Sequence, residues 1–160
     1  MNIETIAVAE LSLDPSNVRK HSRRNLDAIK ASLRKFGQQK PIVVDAKGIV
    51  LAGNGTLTAA KELGWTEIQA TRTDLAGVEA TAFAIADNRT AELAEWDDSL
   101  TDVLKSLSEE GFDLSDIGFA ADDIKDIEEK IPPNEFTEVD ENIETEHNCP
   151  KCGYKWSGGQ

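Results

Sequence analysis

The stretch from residue 49 to residue 64 constrains the fold of this chain more than any other. It joins an apolar run at residues 49–52, the glycine segment Gly-Asn-Gly-Thr at residues 53–56, and apolar residues at helical spacing that stop at Gly64. This order predicts a buried strand, a tight turn and a helix. Because the turn leads directly from the strand into the helix, we expect an α/β unit with the glycine segment at a helix N-terminus.

Strands and helices alternate over the first ninety residues. Strands are predicted within residues 5–13, at 41–45 and 49–52 as a hairpin, and at 67–71. Helices are predicted at residues 25–36, 56–63, 75–88, 99–107 and 122–129. The fold class that follows is α/β (α+β).

The charge of the chain is divided unevenly. The net charge is −13, yet residues 1–90 carry 12 Lys and Arg against 10 Asp and Glu, whereas residues 91–160 carry 5 against 20. The first part therefore keeps a surface that phosphates can approach, and the second is an acidic appendage. No apolar run of about 18 residues would span a bilayer and no leader pattern is present, so we expect no membrane partner and a cytoplasmic location.

The sequence divides into four parts. We expect a folded domain at residues 1–95, a helical extension at 96–131, an acidic linker at 132–146 and a short tail at 147–160. The linker follows two prolines and is poor in apolar residues, which favours a flexible segment.

The tail has a metal-binding pattern. Cys149 and Cys152 form a Cys-x-x-Cys-Gly motif beside His147, which is typical of half a zinc ribbon. Zinc takes four ligands, so a closed site needs a second copy of the chain or the distant His21. A metal-free knuckle is the alternative.

The glycine segment is the first candidate binding site. Two glycines let a ligand approach the backbone, and the free N–H groups of the following helix attract an anion. Gly53, Asn54, Gly55 and Thr56 are therefore candidates for phosphate binding. The structural alternative is that Thr56 caps the helix and satisfies the same N–H groups without any ligand.

A basic cluster at residues 17–24 lies immediately before a predicted helix. Its arginines, Arg19 among them, would bind phosphate in a bidentate manner, and the alternative is a solvated run of charge. His21 lies within the cluster, but the sequence shows no partner for it and we assign it no acid–base role.

A third cluster ends the predicted helix at residues 75–88. Asp87, Asn88 and Arg89 combine a carboxylate, an amide and a guanidinium, which suits a divalent ion beside a phosphate. The alternative is a polar helix terminus with local hydrogen bonds.

From about residue 5 to residue 95 the chain resembles the N-terminal domain of the ParB/sulfiredoxin-like family, in the form often found in phages and beside DNA methyltransferases. The matching stretches are residues 17–19, residues 32–33 with 36–42, the glycine segment with residues 59–60, and residues 86–89. The resemblance implies a small mixed sheet with flanking helices. It also implies that the glycine segment holds the phosphates of a nucleoside triphosphate such as CTP or ATP, and that Asp87, Asn88 and Arg89 act there with magnesium.

The chain departs from the family pattern at three points. Family members commonly carry an arginine within the glycine segment, where this chain has Thr56 and then Thr58, so weak nucleotide affinity or hydrolysis is expected. Sulfiredoxins need a reactive cysteine in that segment, and its absence here excludes sulfinic acid reduction. The partition proteins of the family continue into a DNA-reading domain, whereas the part after residue 90 is strongly acidic, which argues against sequence-specific DNA reading.

These patterns favour a phage-type accessory protein of DNA metabolism or modification that binds a nucleoside triphosphate with magnesium, located in the host cytoplasm if phage-encoded. Arg19 and Arg89 would neutralise phosphate charge. One alternative is a magnesium-dependent DNA nuclease or phosphotransferase that uses Asp87 or Glu92 as its catalytic carboxylate. The other is a non-catalytic interaction module whose acidic tail docks on a DNA-processing partner such as a methyltransferase. We expect DNA as a partner without sequence specificity, and a homodimer if zinc joins two tails.

Overall fold

The computed structural model describes residues 2–130 and 147–156. Its contacts divide the chain into two compact units, Met1–Lys130 and Ile131–Gln160. The first unit contains the strands β1 (Ile3–Ala7), β2 (Ser12–Leu13), β3 (Ile42–Val44), β4 (Ile49–Ala52) and β5 (Glu67–Arg72), and the helices α1 (Arg23–Phe36), α2 (Asn54–Glu62), α3 (Val78–Glu92), α4 (Leu100–Glu109) and α5 (Ala121–Lys130). Short 3₁₀ turns lie at Val8–Glu10 and Leu114–Ile117, and the second unit contains the hairpin of β6 (His147–Asn148) and β7 (Lys155–Trp156).

The strands of the first unit form one mixed sheet in the order β1-β5-β3-β4-β2. The pairs β1–β5 and β3–β4 are antiparallel, while β3–β5 and β2–β4 are parallel. The hairpin and the small mixed sheet are therefore confirmed. Strand β2 was not predicted as a separate element, because two residues are too few for a recognisable alternation.

The core lies between this sheet and α2. Leu57 and Ala60 of the helix are fully buried and pack against Val44 and Val50 of the central hairpin. Full burial of a large apolar side chain contributes about 1.5 to 3 kcal/mol to the free energy of folding, so this contact is a main source of stability. The packing fixes the N-terminus of α2 at the end of β4.

Capping residues define both ends of helix α1. The Ser22 hydroxyl accepts a hydrogen bond from the backbone N–H of Asn25 at 3.2 Å, and Gly37 ends the helix with φ 69°. The buried ammonium of Lys30 joins α1 to α2 through Glu62, with 2.7 Å between Nζ and the carboxylate. The predicted helix at residues 25–36 is thus confirmed, with two more residues at its start.

The helical extension packs on α1 as part of the same compact unit. The rings of Phe36 and Phe112 stack at 6.1 Å, and the Lys35 ammonium lies 3.1 Å from the Asp116 carboxylate. Leu104 of α4 is 2% exposed and forms part of the core. Residues 96–130 therefore continue the domain structurally, although their composition differs from that of the first ninety residues.

Several predicted boundaries need correction. Helix α2 begins at Asn54 and not at residue 56, and α3 covers Val78–Glu92 instead of residues 75–88. The helices predicted at 99–107 and 122–129 agree with α4 and α5 within two residues. The acidic linker predicted at residues 132–146 lies outside the described residues. Among the described helices, none has the length and apolarity needed to cross a membrane.

Candidate functional site

The start of α2 carries no side-chain cap from the described residues. Gly53 occupies the N-cap position in a left-handed conformation, with φ 97° and ψ 23°, and Thr56 lies inside the first helical turn. The structural alternative, in which Thr56 caps the helix, is therefore wrong. The first helical hydrogen bond runs from the N–H of Leu57 to the carbonyl of Gly53 at 2.9 Å, so the N–H groups of Asn54, Gly55 and Thr56 precede it.

Gly53 is required both by its conformation and by its surroundings. A β-carbon at this position would lie 2.5 Å from Cγ2 of Ile42 on the neighbouring strand. Left-handed backbone also disfavours any residue with a β-carbon. The glycine thus allows the chain to turn from β4 into α2 with the helix terminus facing the cleft described below.

The buried side chain of Asn54 links the segments that form the site. Its side chain, 7% exposed, donates from Nδ2 to the Val50 carbonyl at 2.9 Å and accepts at Oδ1 from the backbone N–H of Asp14 at 3.1 Å. Both amide atoms therefore have protein partners. What Asn54 offers a ligand is its backbone N–H, and its side chain holds the loop before α1 against α2.

A cleft of about 190 Å³ opens at this helix terminus. Its walls come from the loop before α1, from β4 and α1, from the start of α2 and from α3. The lining residues are Asn17, Arg19, His21, Ile29, Leu51, Gly53, Asn54, Gly55, Thr56, Asp87 and Asn88. The structure thus brings together residues from all three clusters that the sequence singled out, although they lie up to 71 positions apart.

The loop that carries Arg19 is internally braced. The Oδ1 of Asn17 accepts from the backbone N–H of Arg19 at 3.0 Å, and Nδ2 of Asn17 donates to the Arg19 carbonyl at 3.2 Å. The guanidinium of Arg19 forms an ion pair with Glu92 at the end of α3. Glu92, proposed as a catalytic carboxylate, is therefore a counter-ion for a cleft arginine, and the cleft lining described above does not include it.

Two further arginines of the basic cluster pair with acidic residues of the protein. Arg23 pairs with Asp27 and Glu62, and Arg24 pairs with Asp123 of α5. The hydrogen bond and the charge of Asp123 raise the pKa of Arg24 above its ordinary value. Both guanidinium groups are thus engaged by carboxylates of the protein, and neither arginine lines the cleft described above.

Asp87 and Asn88 line the cleft from the C-terminal half of α3. Asn88 donates from Nδ2 to the Ala84 carbonyl at 2.8 Å, which leaves its carbonyl oxygen as the group available to a ligand. Asp87 is exposed, and no side-chain partner for its carboxylate is found among the described residues. Two neighbouring oxygen donors of this kind fit magnesium, which binds through one or two carboxylates together with phosphates. Arg89 points elsewhere on the helix, where its Nη1 lies 3.5 Å from the Glu92 carboxylate.

A second, more apolar groove adjoins the cleft along Ile29 and Thr56. It has a volume of about 570 Å³, within the range of about 300 to 1,000 Å³ usual for sites that hold a small molecule. The polar cleft alone is smaller than that range. A ligand with a compact anionic part and a larger, flatter part would fill the two together. The groove is lined by Ala28, Ile29, Ser32, Leu33, Phe36, Gly37, Gln38, Gln39, Lys40, Thr56 and Ile117.

The tail forms a turn around its first cysteine. The backbone N–H of Cys149 donates to the Tyr154 carbonyl at 2.8 Å, and the N–H of Gly153 donates to the Cys149 carbonyl at 2.9 Å. Backbone N–H groups of Lys151 and Cys152 lower the pKa of the Cys149 thiol. This favours the thiolate, the form that binds metal. The described residues contain no cluster of three or more His, Cys, Asp or Glu side chains able to hold a metal, so His147 and the two cysteines do not complete a site by themselves.

One residue of the cleft wall, His21, was not predicted to belong to this site. His21 packs directly on the start of α2, and only the three-dimensional structure reveals this contact. A histidine immediately before a helix N-cap is the only local signal that could have pointed to it.

Comparisons with known proteins agree with the fold. The family model of the ParB N-terminal domain matches residues 1–89. The ParB-like nuclease domain-containing protein YnaK of Escherichia coli (strain K12) is 37% identical over 54 residues, which are 34% of this chain and 62% of that protein. The chain thus spans less than two thirds of this relative.

Among solved structures, the C-terminally truncated chromosome-partitioning protein ParB of Caulobacter crescentus, complexed with CTP-gamma-S, is similar with a TM-score of 0.67. The sequence identity is 18%, over 79% of this chain and 77% of that one. Sulfiredoxin from Arabidopsis thaliana is similar with a TM-score of 0.41 and 18% identity, over 46% of this chain and 85% of that one. The family model and the similar ParB structure confirm the expected ParB/sulfiredoxin-like fold.

Proposed function

We propose, since this chain belongs to the ParB N-terminal domain family, that it binds a nucleoside triphosphate with magnesium in the cleft at the start of α2. The observation that carries the proposal is the convergence of an uncapped helix terminus, a cleft arginine and two oxygen donors on one small polar cavity. A triphosphate is the ligand that uses all three at once. That the similar ParB structure holds a CTP analogue supports this choice, with CTP the first candidate and ATP the second.

Each residue of the cleft would have a role that follows from its chemistry. The backbone N–H groups of Asn54, Gly55 and Thr56 would bind phosphate oxygens, and Arg19 would add charge. Asp87 and Asn88 would hold the magnesium ion, which neutralises charge on the phosphates when bound. Arg89 would contribute only after leaving Glu92.

The apolar groove beside the cleft would receive the nucleoside. Its volume and its contact with the cleft at Ile29 and Thr56 allow a base and sugar to extend from the bound phosphates. A nucleoside triphosphate should therefore bind more tightly than inorganic triphosphate, which fills the polar cleft alone.

Isothermal titration of the full chain with CTP, ATP, GTP and UTP, each with magnesium, tests the proposal. We expect one of them to bind, and binding to weaken about tenfold in an Arg19→Ala variant because a charged hydrogen bond to phosphate is lost. Arg34→Ala is the matched control, since Arg34 is an α1 arginine outside both cavities. Heat of binding for none of the four would contradict the proposal.

We place this activity in DNA metabolism or modification, in an accessory protein of phage type that acts beside a DNA-processing partner such as a methyltransferase. The acidic part of the chain, with 20 Asp and Glu after residue 90, suits docking on a basic protein surface better than on DNA. DNA contact would be independent of sequence. Co-purification of a partner that is lost on truncation after Lys130 would favour docking through the tail.

A hydrolytic role is the second candidate, because the relative YnaK is described as containing a ParB-like nuclease domain. In this reading Asp87 with magnesium would be the catalytic carboxylate of a nuclease or phosphotransferase. Magnesium-dependent nicking of plasmid DNA, abolished in Asp87→Ala, would support it.

For the tail we propose a zinc ion shared between two copies of the chain. Cys149 and Cys152 supply two thiolates per copy, with His147 as a further donor, and the N–H groups around Cys149 favour its thiolate form. A site of this kind would make the protein a homodimer.

A further inference from the structure

His21 occupies a defined position on the cleft wall. It immediately precedes Ser22, the N-cap of α1, and its Nδ1 lies 2.7 Å from Oδ1 of Asn25 in the first turn. With the amide oxygen as acceptor, Nδ1 carries a hydrogen and Nε2 is the ring nitrogen left for another partner. The ring is therefore held in place through one nitrogen.

The same imidazole explains the glycine at position 55. Gly55 is helical and does not have the left-handed φ of Gly53. A β-carbon on Gly55 would lie 2.7 Å from Cε1 and 3.0 Å from Nδ1 of His21, and 3.0 Å from Cδ1 of Ile29. The glycine thus makes room for the imidazole, which lies against the first turn of α2.

The glycine segment itself contains no cation. No Lys or Arg occurs from Gly53 to Ala60, and Arg19 is paired with Glu92. A phosphate held by the N–H groups of α2 would therefore have His21 as the titratable side chain packed against that helix terminus.

We propose that His21 contacts the phosphates of the bound triphosphate, and that its imidazole takes up a proton from solvent when the ligand binds and donates from Nε2 to a phosphate oxygen. This inference rests on the proposed nucleotide site and adds a second contact that the sequence does not reveal. An imidazole changes charge within the range of about pH 5 to 8, so a nearby anion readily recruits the proton.

Among the described residues that line the cleft with His21, the charged side chains are Arg19 from the same loop and Asp87 from α3, and the positive end of the α2 dipole lies beside them. Helix α1 contributes Asn25 and Ile29, β4 contributes Leu51, and the first turn of α2 has no acidic side chain. A bound triphosphate would add several negative charges beside the ring, and a nearby negative charge favours the imidazolium form.

A pH series tests the contact. We would titrate wild type and His21→Gln with magnesium-CTP, magnesium-ATP and inorganic triphosphate between pH 6 and pH 8.5, in two buffers of different ionisation enthalpy. The ligands titrate too, so the difference between the two proteins is the readout. We expect wild type to bind about tenfold more tightly than the variant at the acid end, with proton uptake and with the advantage lost at the alkaline end.

A double-mutant cycle tests the geometry. Gly55→Ala should displace the imidazole and weaken binding in the wild type, whereas in a His21→Ala background, where only the end of the Ile29 side chain is crowded, the further loss should be smaller. Circular dichroism would establish that each variant is folded. An equal loss in both backgrounds, or equal binding by wild type and His21→Gln at every pH, would overturn the role of His21 and leave the nucleotide site standing. Failure of wild type to bind any of the three ligands would overturn both.

Discussion

The side-chain oxygen of Asn54 accepts a hydrogen bond from the backbone N–H of Asp14 at 3.1 Å, across 40 positions of sequence. The same amide donates to the Val50 carbonyl, so one buried residue ties the loop before α1 to β4 and α2. Two walls of the cleft therefore depend on a side chain that the ligand does not need to touch.

Replacing Asn54 should loosen both the fold and the cleft. In Asn54→Ala the N–H of Asp14 and the carbonyl of Val50 lose their partner, and we expect the free energy of unfolding to fall by about 1 to 3 kcal/mol. Asn54→Asp keeps the acceptor for Asp14 but sets a buried carboxylate oxygen against the Val50 carbonyl, so it should also destabilise the protein. Urea unfolding measures both, and an Asn54→Ala variant as stable as wild type would contradict this role.

Gly53 and Gly64 form a matched pair for separating backbone strain from crowding. Both have positive φ, 97° and 74°, but a β-carbon meets Ile42 only at Gly53 and open space at Gly64. We expect Gly64→Ala to cost about 1 to 2 kcal/mol, from the backbone alone. Gly53→Ala should cost about 1 to 3 kcal/mol more because it overpacks the strand–helix junction. Equal losses in thermal unfolding would rule out the crowding.

Substitution of Glu92 tests whether this residue is a counter-ion of Arg19 or a catalytic group. If it only pairs with Arg19, then Glu92→Gln frees the arginine for phosphate, and nucleotide affinity should rise about twofold to fivefold, as expected for loss of an exposed ion pair. Any magnesium-dependent cleavage should persist. Loss of cleavage with unchanged nucleotide binding would instead identify Glu92 as catalytic.

The link between α1 and α2 should depend on pH. Lys30 donates to Asp27 and Glu62, and these hydrogen bonds lower the pKa of each carboxyl and raise the pKa of the ammonium. The stabilisation is therefore present above the ordinary carboxyl values of 3.8 and 4.5 and below the ordinary lysine value of 10.5, and it is lost as the pH leaves this window on either side.

Lys30→Met tests this link. The variant should be less stable than wild type at neutral pH, and the difference should shrink as the pH falls through the lowered carboxyl pKa values. Lys20→Met, which removes an exposed cation, is the control. A difference that stays constant from pH 7 to pH 3 would show that Lys30 acts only through packing of its stem.

The zinc content of the purified protein tests the shared zinc site proposed for the tail. We expect the purified chain to hold about one zinc ion per two copies, by elemental analysis, because four ligands require two Cys-x-x-Cys motifs. Sedimentation should show a dimer that a chelator or Cys149→Ser converts to monomer. One zinc per monomer would contradict sharing, and no zinc after reconstitution would contradict the site.

Local sequence signals were sufficient for most elements of the fold. The helix at residues 25–36 has strong periodicity with Ser22 and Gly37 at its ends, and the hairpin has two β-branched runs around a glycine turn. The start of α2 was misjudged because glycine and asparagine are poor helix formers. Tertiary contacts override that preference, since Asn54 is held by Val50 and Asp14.

The candidate site was only partly visible in sequence. The three clusters were recognised, but which of their side chains face the cleft depends on contacts between distant positions. Arg19 faces it while Arg23 and Arg24 pair with acidic residues of the helices. The reason for Gly55 could not be read from its neighbours, because the ring it accommodates belongs to His21, 34 positions earlier.

An NMR titration of the full chain with magnesium-CTP, followed in parallel with magnesium-ATP, tests the central claim most directly. If the cleft binds the nucleotide, the backbone amide signals of Gly53, Gly55 and Thr56 should shift together with those of Arg19 and Asn88, and should saturate with one affinity. Signals that remain unchanged at millimolar nucleotide, or shifts confined to the tail at residues 147–156, would contradict it.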